Sequence, residues 1–467
     1  MATHTDPVPG GRPGDAERAT ALRSQLSERD VHGIVLAFVD TAGVTRVKTI
    51  PTARLEQATA WGVGMSPVFD TFLADDSIVR AGELGSPDGD LRLFPDLDRL
   101  VVLAGQPGWA WAPVDRITQE GERHPACART FLRRVVADAG RQHGLTFEAA
   151  IEIEWMIGLR SGTDDRFVPA TSGPAYGATR QIELSDYVVE LLAALAAQGV
   201  DVEQVHPEYA AGQFEVSVGP LDPVDAADRS VLVRQTIRAV AANHGLRVSF
   251  APAVTAGGVG NGGHVHLSAW RDGTNLHSGG SRRYGMTAEA ESFAAGLLAH
   301  MLALTAVTAP SPASYLRLRP SRWAGAFAVW GRETREAAVR VITGTTGRGG
   351  RAANLEVKPV DLAANPYLAL GCLLVAGLDG LRSSMTLPQE VTGDPARFTG
   401  AEAEALGVRR LPTTLREAVG EFRGDGTLRE ALGPVLADAV TAVRLGEADA
   451  VAGLEDESVA AAYRWVY

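Results

Sequence analysis

Two short patterns constrain this chain more than anything else in it: Ile151-Glu152-Ile153-Glu154 and Gly263-His264-Val265-His266-Leu267. Each lies in an apolar, strand-like run, where residues two apart point to the same face of a sheet. Each pattern therefore aims two ligands from a rigid support into one space. Further acidic residues stand in similar surroundings: Glu208 and Glu215 across HPEYAAGQFE, and Glu356 in NLEVKPV. An isolated buried carboxylate costs on the order of several kcal/mol unless it is paired or metal-bound. One such residue could be a salt bridge; a series on successive strands is better explained by cations between them.

Oxygen-rich ligands with few imidazoles and no thiolates favour Mg²⁺ or Mn²⁺ over zinc. Arginines crowd the stretch RLRPSRWAGAFAVWGRETREAAVR, which holds Arg317, Arg319, Arg322, Arg332, Arg335 and Arg340. The small and apolar residues between them point to partial burial rather than a solvated face. Two metals beside arginines suit phosphoryl transfer, since both neutralise charge on the moving group. No GxxxxGK[ST] loop is present, and the glycine-rich stretches AGGVGNGGH and TGTTGRGGR are weak phosphate signals by themselves.

The 467 residues suffice for two or three domains. A net charge of −12 leaves no basic excess for nucleic acid or an anionic membrane. Cys127 and Cys372 are too far apart in sequence for a metal or redox motif and read as buried thiols in a reducing cytoplasm. Lysine occurs only at Lys48 and Lys358; every other cationic side chain apart from histidine is arginine. The apolar stretches Phe293–Pro310, broken by His300, and Tyr367–Leu378, too short, are not expected to span a membrane.

Residues 1–24, polar with Pro and Gly, read as a disordered tail. A hairpin is expected over Val31–Val47 with its turn at Thr41-Ala42-Gly43, within a small α+β domain over 25–118. Helices are expected from His124-Pro125 to Gly144, over Asp186–Gly199, from Asp222-Pro223 to Gly245, and from an Asn365 cap to about Gly380. They alternate with short strands, so 119–467 reads as a mixed sheet with helices on one side. Pro388–Pro412 reads as a surface excursion.

These residues resemble the glutamine synthetase family from about Val31 to the C-terminus. The match is carried by FVDTAGVTRVKTIP, EIEW, HPEYAAGQFE, GNGGHVHLS, the arginine-rich stretch and NLEVKPVDLAANPYLALG. The resemblance implies an α+β fold: an N-terminal β-grasp domain and a catalytic domain with a curved antiparallel sheet and helices. It also implies a homo-oligomer, a dodecamer of two hexameric rings with shared active sites. Carried over by motif, Glu154, Glu208 and Glu215 would ligate one metal, and Glu152, His264 and Glu356 the other, with two or three Mg²⁺ or Mn²⁺ in all. His266 and Ser268 would contact ATP, and Arg335 and Arg340 would face its phosphates. Arg317, Gly260 and His264 would hold L-glutamate, with Glu154 and Lys358 beside it. Asp40 would reach into a neighbouring site to receive the amine. The implied reaction phosphorylates the glutamate side chain with ATP, and an amine then attacks the γ-glutamyl phosphate.

Departures from the ammonia-using members bear on the amine. Trp323 stands where those enzymes carry a glutamate that binds and deprotonates ammonium, and an indole cannot take a proton. Lys358 replaces an arginine near the phosphate, losing its bidentate fork. Val259 replaces an asparagine in the glutamate-side loop. Ammonia is therefore expected to be a poor substrate. The pattern looks like a subgroup that joins glutamate to organic amines, and most like γ-glutamylethanolamide synthetases. Ethanolamine is the expected acceptor because a long polycation would want more carboxylates at the pocket's mouth; polyamines or other mono- and diamines are the alternative. A catalytically inert descendant and a metal-dependent hydrolase are rival readings, and the intact Glu and His set argues against the first. Tyrosyl adenylylation after the Asn-Pro-Tyr helix is excluded, because no tyrosine lies between Tyr367 and Tyr463.

Overall fold

The computed structural model describes residues 14–82, 84–160 and 165–467. The first domain carries a six-stranded sheet of β1 (Gly33–Val39), β2 (Thr45–Pro51), β3 (Val63–Met65), β4 (Leu91–Pro95), β5 (Val101–Val102) and β6 (Trp109–Thr118). Its order is β2-β1-β6-β4-β3 with β5 also on β6, and β1 runs parallel to β6. The expected β1–β2 hairpin is present, in register from Gly33 opposite Pro51 to Val39 opposite Thr45.

Its turn is pressed onto the second domain. Gly43 has φ 90°, and a Cβ there would lie 1.8 Å from the Ala363 carbonyl oxygen, so only glycine fits. Asn365 ties the same junction. Its Nδ2 donates to the Val39 and Asp40 carbonyls, while its Oδ1 accepts from Tyr367 and Leu368 N–H as the helix cap expected there.

The N-terminal reading needs correction. Residues 15–24 are not tail: a helix spans Asp15–Glu28, and Ala19 and Leu26 enter the core of the first domain. Leucine and alanine at helical spacing outweigh the Pro and Gly that precede them, and Arg23 pairs with Glu56. Residues 1–13 lie outside the described residues.

The second domain is built around one long run, β7 (Thr146–Ile151) and β8 (Ile153–Leu159), that changes sheets at Glu152. β7 pairs with β12 (Val265–Arg271), in a six-stranded sheet with β13 (Thr274–Asn275), β14 (Phe327–Arg332), β15 (Ala337–Ile342) and β16 (Asn354–Val357). β8 lies between β10 (Gln213–Val218) and β11 (Leu246–Ser249), with β9 (Val202–Pro207) outside β10. All of these pairings are antiparallel except β14–β15.

The four expected helices are found at Ala128–His143, Ser185–Ala197, Pro223–Asn243 and Pro366–Arg382. The first starts at Ala128, after His124, which is turned inward with Nε2 2.6 Å from Asp70 Oδ2. The Pro366–Arg382 helix is buried along nearly its whole length and crosses Ala288–Ala299 at Gly296 and Gly380, where a Cβ would strike the opposing backbone. Among the described residues no single helix is long and apolar enough to cross a membrane; the bent pair Ala288–Ala299 and Met301–Thr308 has that length and composition but is largely buried in the protein.

Pro388–Pro412 is more than an excursion. Val391 N–H donates to the Trp330 carbonyl and its side chain packs on Val329 and Ala337. Asp394 accepts from Ser321 Oγ at 2.6 Å, and Arg410 donates to the Leu318 and Ala326 carbonyls. This segment therefore backs the loop that carries Trp323.

Candidate active site

The change of sheet at Glu152 creates the site. On one side, register places Glu154 opposite Glu215, and Glu215 opposite His206, as a row across three strands. On the other, His266 lies opposite Glu356, and Glu356 opposite Arg340. Glu152, at the break, and Glu154, just beyond it, face the two histidines: Glu152 Oε1 is 3.2 Å from His266 Nε2, and Glu154 Oε1 is 3.4 Å from His264 Nε2. A cleft of about 690 Å³ opens above these rows.

Two sets of donor atoms converge there, each within 4.8 Å: Glu152, His264 and Glu356, and His206, Glu208 and Glu215. The first is one of the expected sets. The second holds two of the three residues expected together, with His206 in place of Glu154. Glu154 instead accepts from Gly262 N–H at 2.9 Å and Gln213 Nε2 at 3.1 Å, next to both sets. His206 was passed over in the sequence, although His206-Pro207-Glu208 repeats the same two-residue spacing as the other pairs.

The donor chemistry fits divalent cations. His264 Nδ1 lies 3.0 Å from the Lys358 carbonyl, which can only accept, so Nδ1 carries the proton and Nε2 is left as a ligand. Burial, followed by the charges of Glu152, Glu154 and Glu208, raises the Glu215 pKa to about 7. Burial also raises Glu208. Such crowding of carboxylates is relieved by a cation. On the other side, burial opposes ionisation of Glu356, but Lys358 and the two histidines outweigh it and hold the carboxyl well below the usual range. Lys358 Nζ is 2.7 Å and Arg340 Nη1 2.8 Å from that carboxylate. For His266, burial is outweighed by Glu152, raising its pKa to about 9.

Of the residues singled out in the sequence, Glu152, Glu154, Glu208, Glu215, Gly260, His264, Arg317, Trp323, Arg335, Arg340, Glu356 and Lys358 all line the cleft. Arg317 is buried there; Nη2 donates to the Lys358 carbonyl at 3.1 Å, and Nη1 has no partner among the described residues. A buried guanidinium with a free N–H suits a carboxylate ligand.

Three residues lie elsewhere. Ser268 is buried, with its hydroxyl accepting from Trp270 Nε1 at 2.8 Å, and His266 stands behind Glu152 with Nδ1 on Asn354 Oδ1. Asp40 does not project from its hairpin: its carboxylate is fully buried, 2.7 Å from Arg46 Nε, and burial raises its pKa to about 7. Nor is the arginine-rich stretch uniformly half-buried; Arg322, Arg332 and Arg335 are exposed, and Arg319 pairs with Asp456.

Two aromatic residues missed in the sequence, Tyr176 and Tyr209, form the mouth with Trp323. Tyr176 stacks on His206 with centroids 5.1 Å apart, meets Tyr209 edge-on at 5.6 Å, and donates its hydroxyl to Glu208. Tyr209 in turn meets Trp323 edge-on at 5.3 Å. Trp323 is 48% exposed and has φ 56°, a strained conformation for a bulky residue, held by its N–H donating to Glu336 Oε1 at 2.8 Å.

Family models match along most of the chain: the glutamine synthetase N-terminal domain over residues 21–122, and the glutamine synthetase catalytic domain over 125–459. The chain belongs to the glutamine synthetase family. It is 74% identical over 465 residues to gamma-glutamylpolyamine synthetase GlnA3 of Streptomyces coelicolor, covering 100% of both chains. It is 29% identical over 395 residues to a glutamine synthetase of Methanocaldococcus jannaschii, covering 84% and 86%. Among solved structures it resembles one described as a novel glutamine synthase homologue, with 34% identity, a TM-score of 0.83, and coverage of 94% and 99%. A structure of a GmaS/ADP complex matches with 27% identity, a TM-score of 0.80, and coverage of 93% and 97%. The fold expected from the sequence is thus the family's, and the protein is a ligase of this family. Ethanolamine receives no support from these relatives; the polyamine alternative agrees with them better.

Proposed function

We propose that this enzyme couples ATP hydrolysis to formation of a γ-glutamyl amide between L-glutamate and a polyamine. The observation that carries the choice of amine is the full-length 74% identity to a γ-glutamylpolyamine synthetase. The cleft supports it: a mouth of Tyr176, Tyr209 and Trp323 around Glu208 offers π-faces and a carboxylate to an alkylammonium.

Glu152, His264 and Glu356 would hold one divalent cation, and Glu208 and Glu215, with Glu154 or His206, another. Cations bound there neutralise phosphate charge during transfer of the γ-phosphoryl group. In the proposal, Arg317 binds a glutamate carboxylate through its free Nη1, beside Gly260. Arg335 and Arg340 take the phosphates. Lys358 acts beside them and keeps Glu356 ionised. The glutamate side-chain oxygen displaces ADP from the γ-phosphorus, giving γ-glutamyl phosphate. The amine nitrogen, its proton released to solvent, attacks the acyl carbon, and phosphate leaves. Trp323 supplies no base for ammonium, so the acceptor must be an amine that the aromatic mouth can hold.

Asp40 enters this scheme only through a neighbouring copy, in the dodecamer of two hexameric rings that family membership suggests, and its pair with Arg46 would have to open. His266 and Ser268 are assigned to the nucleotide, through the strand they share. A cytoplasmic setting agrees with two buried free thiols.

The test is glutamate- and amine-dependent phosphate release with ammonium, ethanolamine, putrescine, spermidine and spermine. Polyamines should give the highest kcat/KM and ammonium the lowest. Strong turnover with ethanolamine and none with polyamines would overturn the reading. Trp323→Glu should raise ammonium turnover and lower polyamine turnover by about tenfold or more, as expected from restoring a proton acceptor.

A further inference from the structure

Beyond Trp323 lies a second cavity of about 530 Å³. Trp323 and Arg335 line both this cavity and the metal cleft, so the two spaces meet at the indole. Three carboxylates surround it: Glu333, Glu336 and Asp394. Glu333 is already paired with Arg340 at 2.8 Å. Among the described residues the Asp394 carboxylate accepts only from neutral donors, Ser321 Oγ at 2.6 Å and Ala396 N–H at 2.9 Å. Glu336 is 6% exposed, and while its Oε1 holds the Trp323 N–H, its Oε2 has no partner among the described residues. Burial, then the nearby charge of Asp394, raises its pKa. The Lys358 charge acts on Glu336 from a distance, but among the described residues neither carboxylate has a cation within 4 Å, and one keeps an unsatisfied buried oxygen.

The arginines of this cavity do not supply that cation. The Arg332 guanidinium lies 4.9 Å from the Tyr284 ring centroid, and its backbone N–H is held by Glu390. Arg335 borders the cleft and, in the function proposed above, is engaged by nucleotide phosphate. We infer that this cavity is a subsite for the distal ammonium of a polyamine whose proximal amine is acylated in the metal cleft. The aliphatic chain lies along the half-exposed Trp323 indole, and Glu336 and Asp394 receive the far cation. This rests on polyamines being the acceptors, and it reverses the earlier argument for ethanolamine: the carboxylates that a polycation needs are present, on the far side of the tryptophan.

The experiment compares n-butylamine, putrescine, spermidine and spermine with the wild type and with Asp394→Asn, which removes the charge while its Oδ1 still accepts from Ala396 N–H and its Nδ2 donates to Ser321 Oγ in place of accepting from it. KM should fall as ammonium groups are added along the chain. Asp394→Asn should raise KM for spermine about fivefold or more, with a smaller change for n-butylamine and little change in kcat, the size expected for one partly exposed ion pair. Thr392→Lys, at an exposed position lining the cavity, should raise the spermine KM in the same way and serves if the first variant folds poorly. Equal effects on spermine and n-butylamine, or no effect in either variant, would overturn the subsite. Failure of every polyamine as a substrate of the wild type would instead overturn the proposed function.

Discussion

Glu356 shows how much of this site resides in single side chains. It is 2% exposed, and its two oxygens meet Lys358 and Arg340 at 2.7 and 2.8 Å while it also belongs to the donor set with Glu152 and His264. Glu356→Gln keeps the volume but removes a charged member of the Glu152–His264–Glu356 donor set and leaves Lys358 buried without its counter-charge. Amine-dependent phosphate release should drop at least about a hundredfold, and calorimetric Mg²⁺ or Mn²⁺ affinity should weaken with it. Activity within tenfold of the wild type would separate Glu356 from the cations. Glu152, Glu154 and His264 were legible as cleft residues because residue type and strand period bring them together, whereas His266 turned behind Glu152. Of the aromatic mouth only Trp323 was legible, through the resemblance; Tyr176 and Tyr209 were not, because they come from distant loops and carry no periodicity. Asp40 could be read as chemically important but not as buried, because its partner Arg46 lies across the hairpin turn.

At the scale of elements, the helix pair around His300 illustrates a pH-dependent joint. Ala288–Ala299 and Met301–Thr308 meet at 71° there. His300 bridges Asp425, with Nδ1 2.6 Å from Oδ2, and Asp379, with Nε2 3.1 Å from Oδ2. The hydrogen bond that the ring donates to Asp425, then the one it donates to Asp379 with both charges, raises the His300 pKa despite partial burial. A raised folded-state pKa means the stabilisation is complete below the unfolded value of about 6.5 and is lost as pH climbs through the folded value. The Tm deficit of His300→Gln relative to the wild type should therefore be largest near pH 6 and shrink towards pH 9. A deficit independent of pH would show that the ring's packing, not its charge, holds the joint. In the sequence, His300 was legible only as an interruption of an apolar stretch, since its carboxylate partners lie 79 and 125 residues away. Caps fared better: Asp222 and Asn365 mark their helix starts because the capping hydrogen bond spans two or three residues.

Over the whole molecule, the two domains are clamped by buried charge. Arg129, at the start of the Ala128–His143 helix, reaches Asp96 at 2.7 Å and Asp115 at 2.9 Å in the first domain and Asp228 at 2.8 Å in the Pro223–Asn243 helix. Burial opposes its charge, but the three carboxylates outweigh it and raise its pKa well above the ordinary value. Arg129→Met removes the common cation of three acids; Asp115 and Asp96 keep Arg133, at 2.8 and 3.6 Å, while Asp228 keeps only the Tyr367 hydroxyl at 2.6 Å. The loss should be about 3–5 kcal/mol, as for other broken buried ion networks. Scanning calorimetry should show an earlier, broader transition as the domains uncouple. An unchanged single transition would place the coupling elsewhere, for example in the Gly43–Ala363 and Asn365 junction. Domain succession was legible from the change between strand-rich and helix-rich sequence; the clamp was not, because its members are scattered among acids and arginines of ordinary appearance.

The scarcity of lysine has a practical side. The chain has two, Lys48 exposed on β2 and Lys358 buried 2.7 Å from Glu356 inside the cleft. Amine-directed reagents therefore have two side-chain addresses, one in solvent and one in the site. Lys48 serves as an internal reference for reagent dose. The relative labelling of Lys358, read by peptide mass spectrometry, becomes a gauge of how tightly cations, nucleotide and glutamate close the cleft, without following turnover at all.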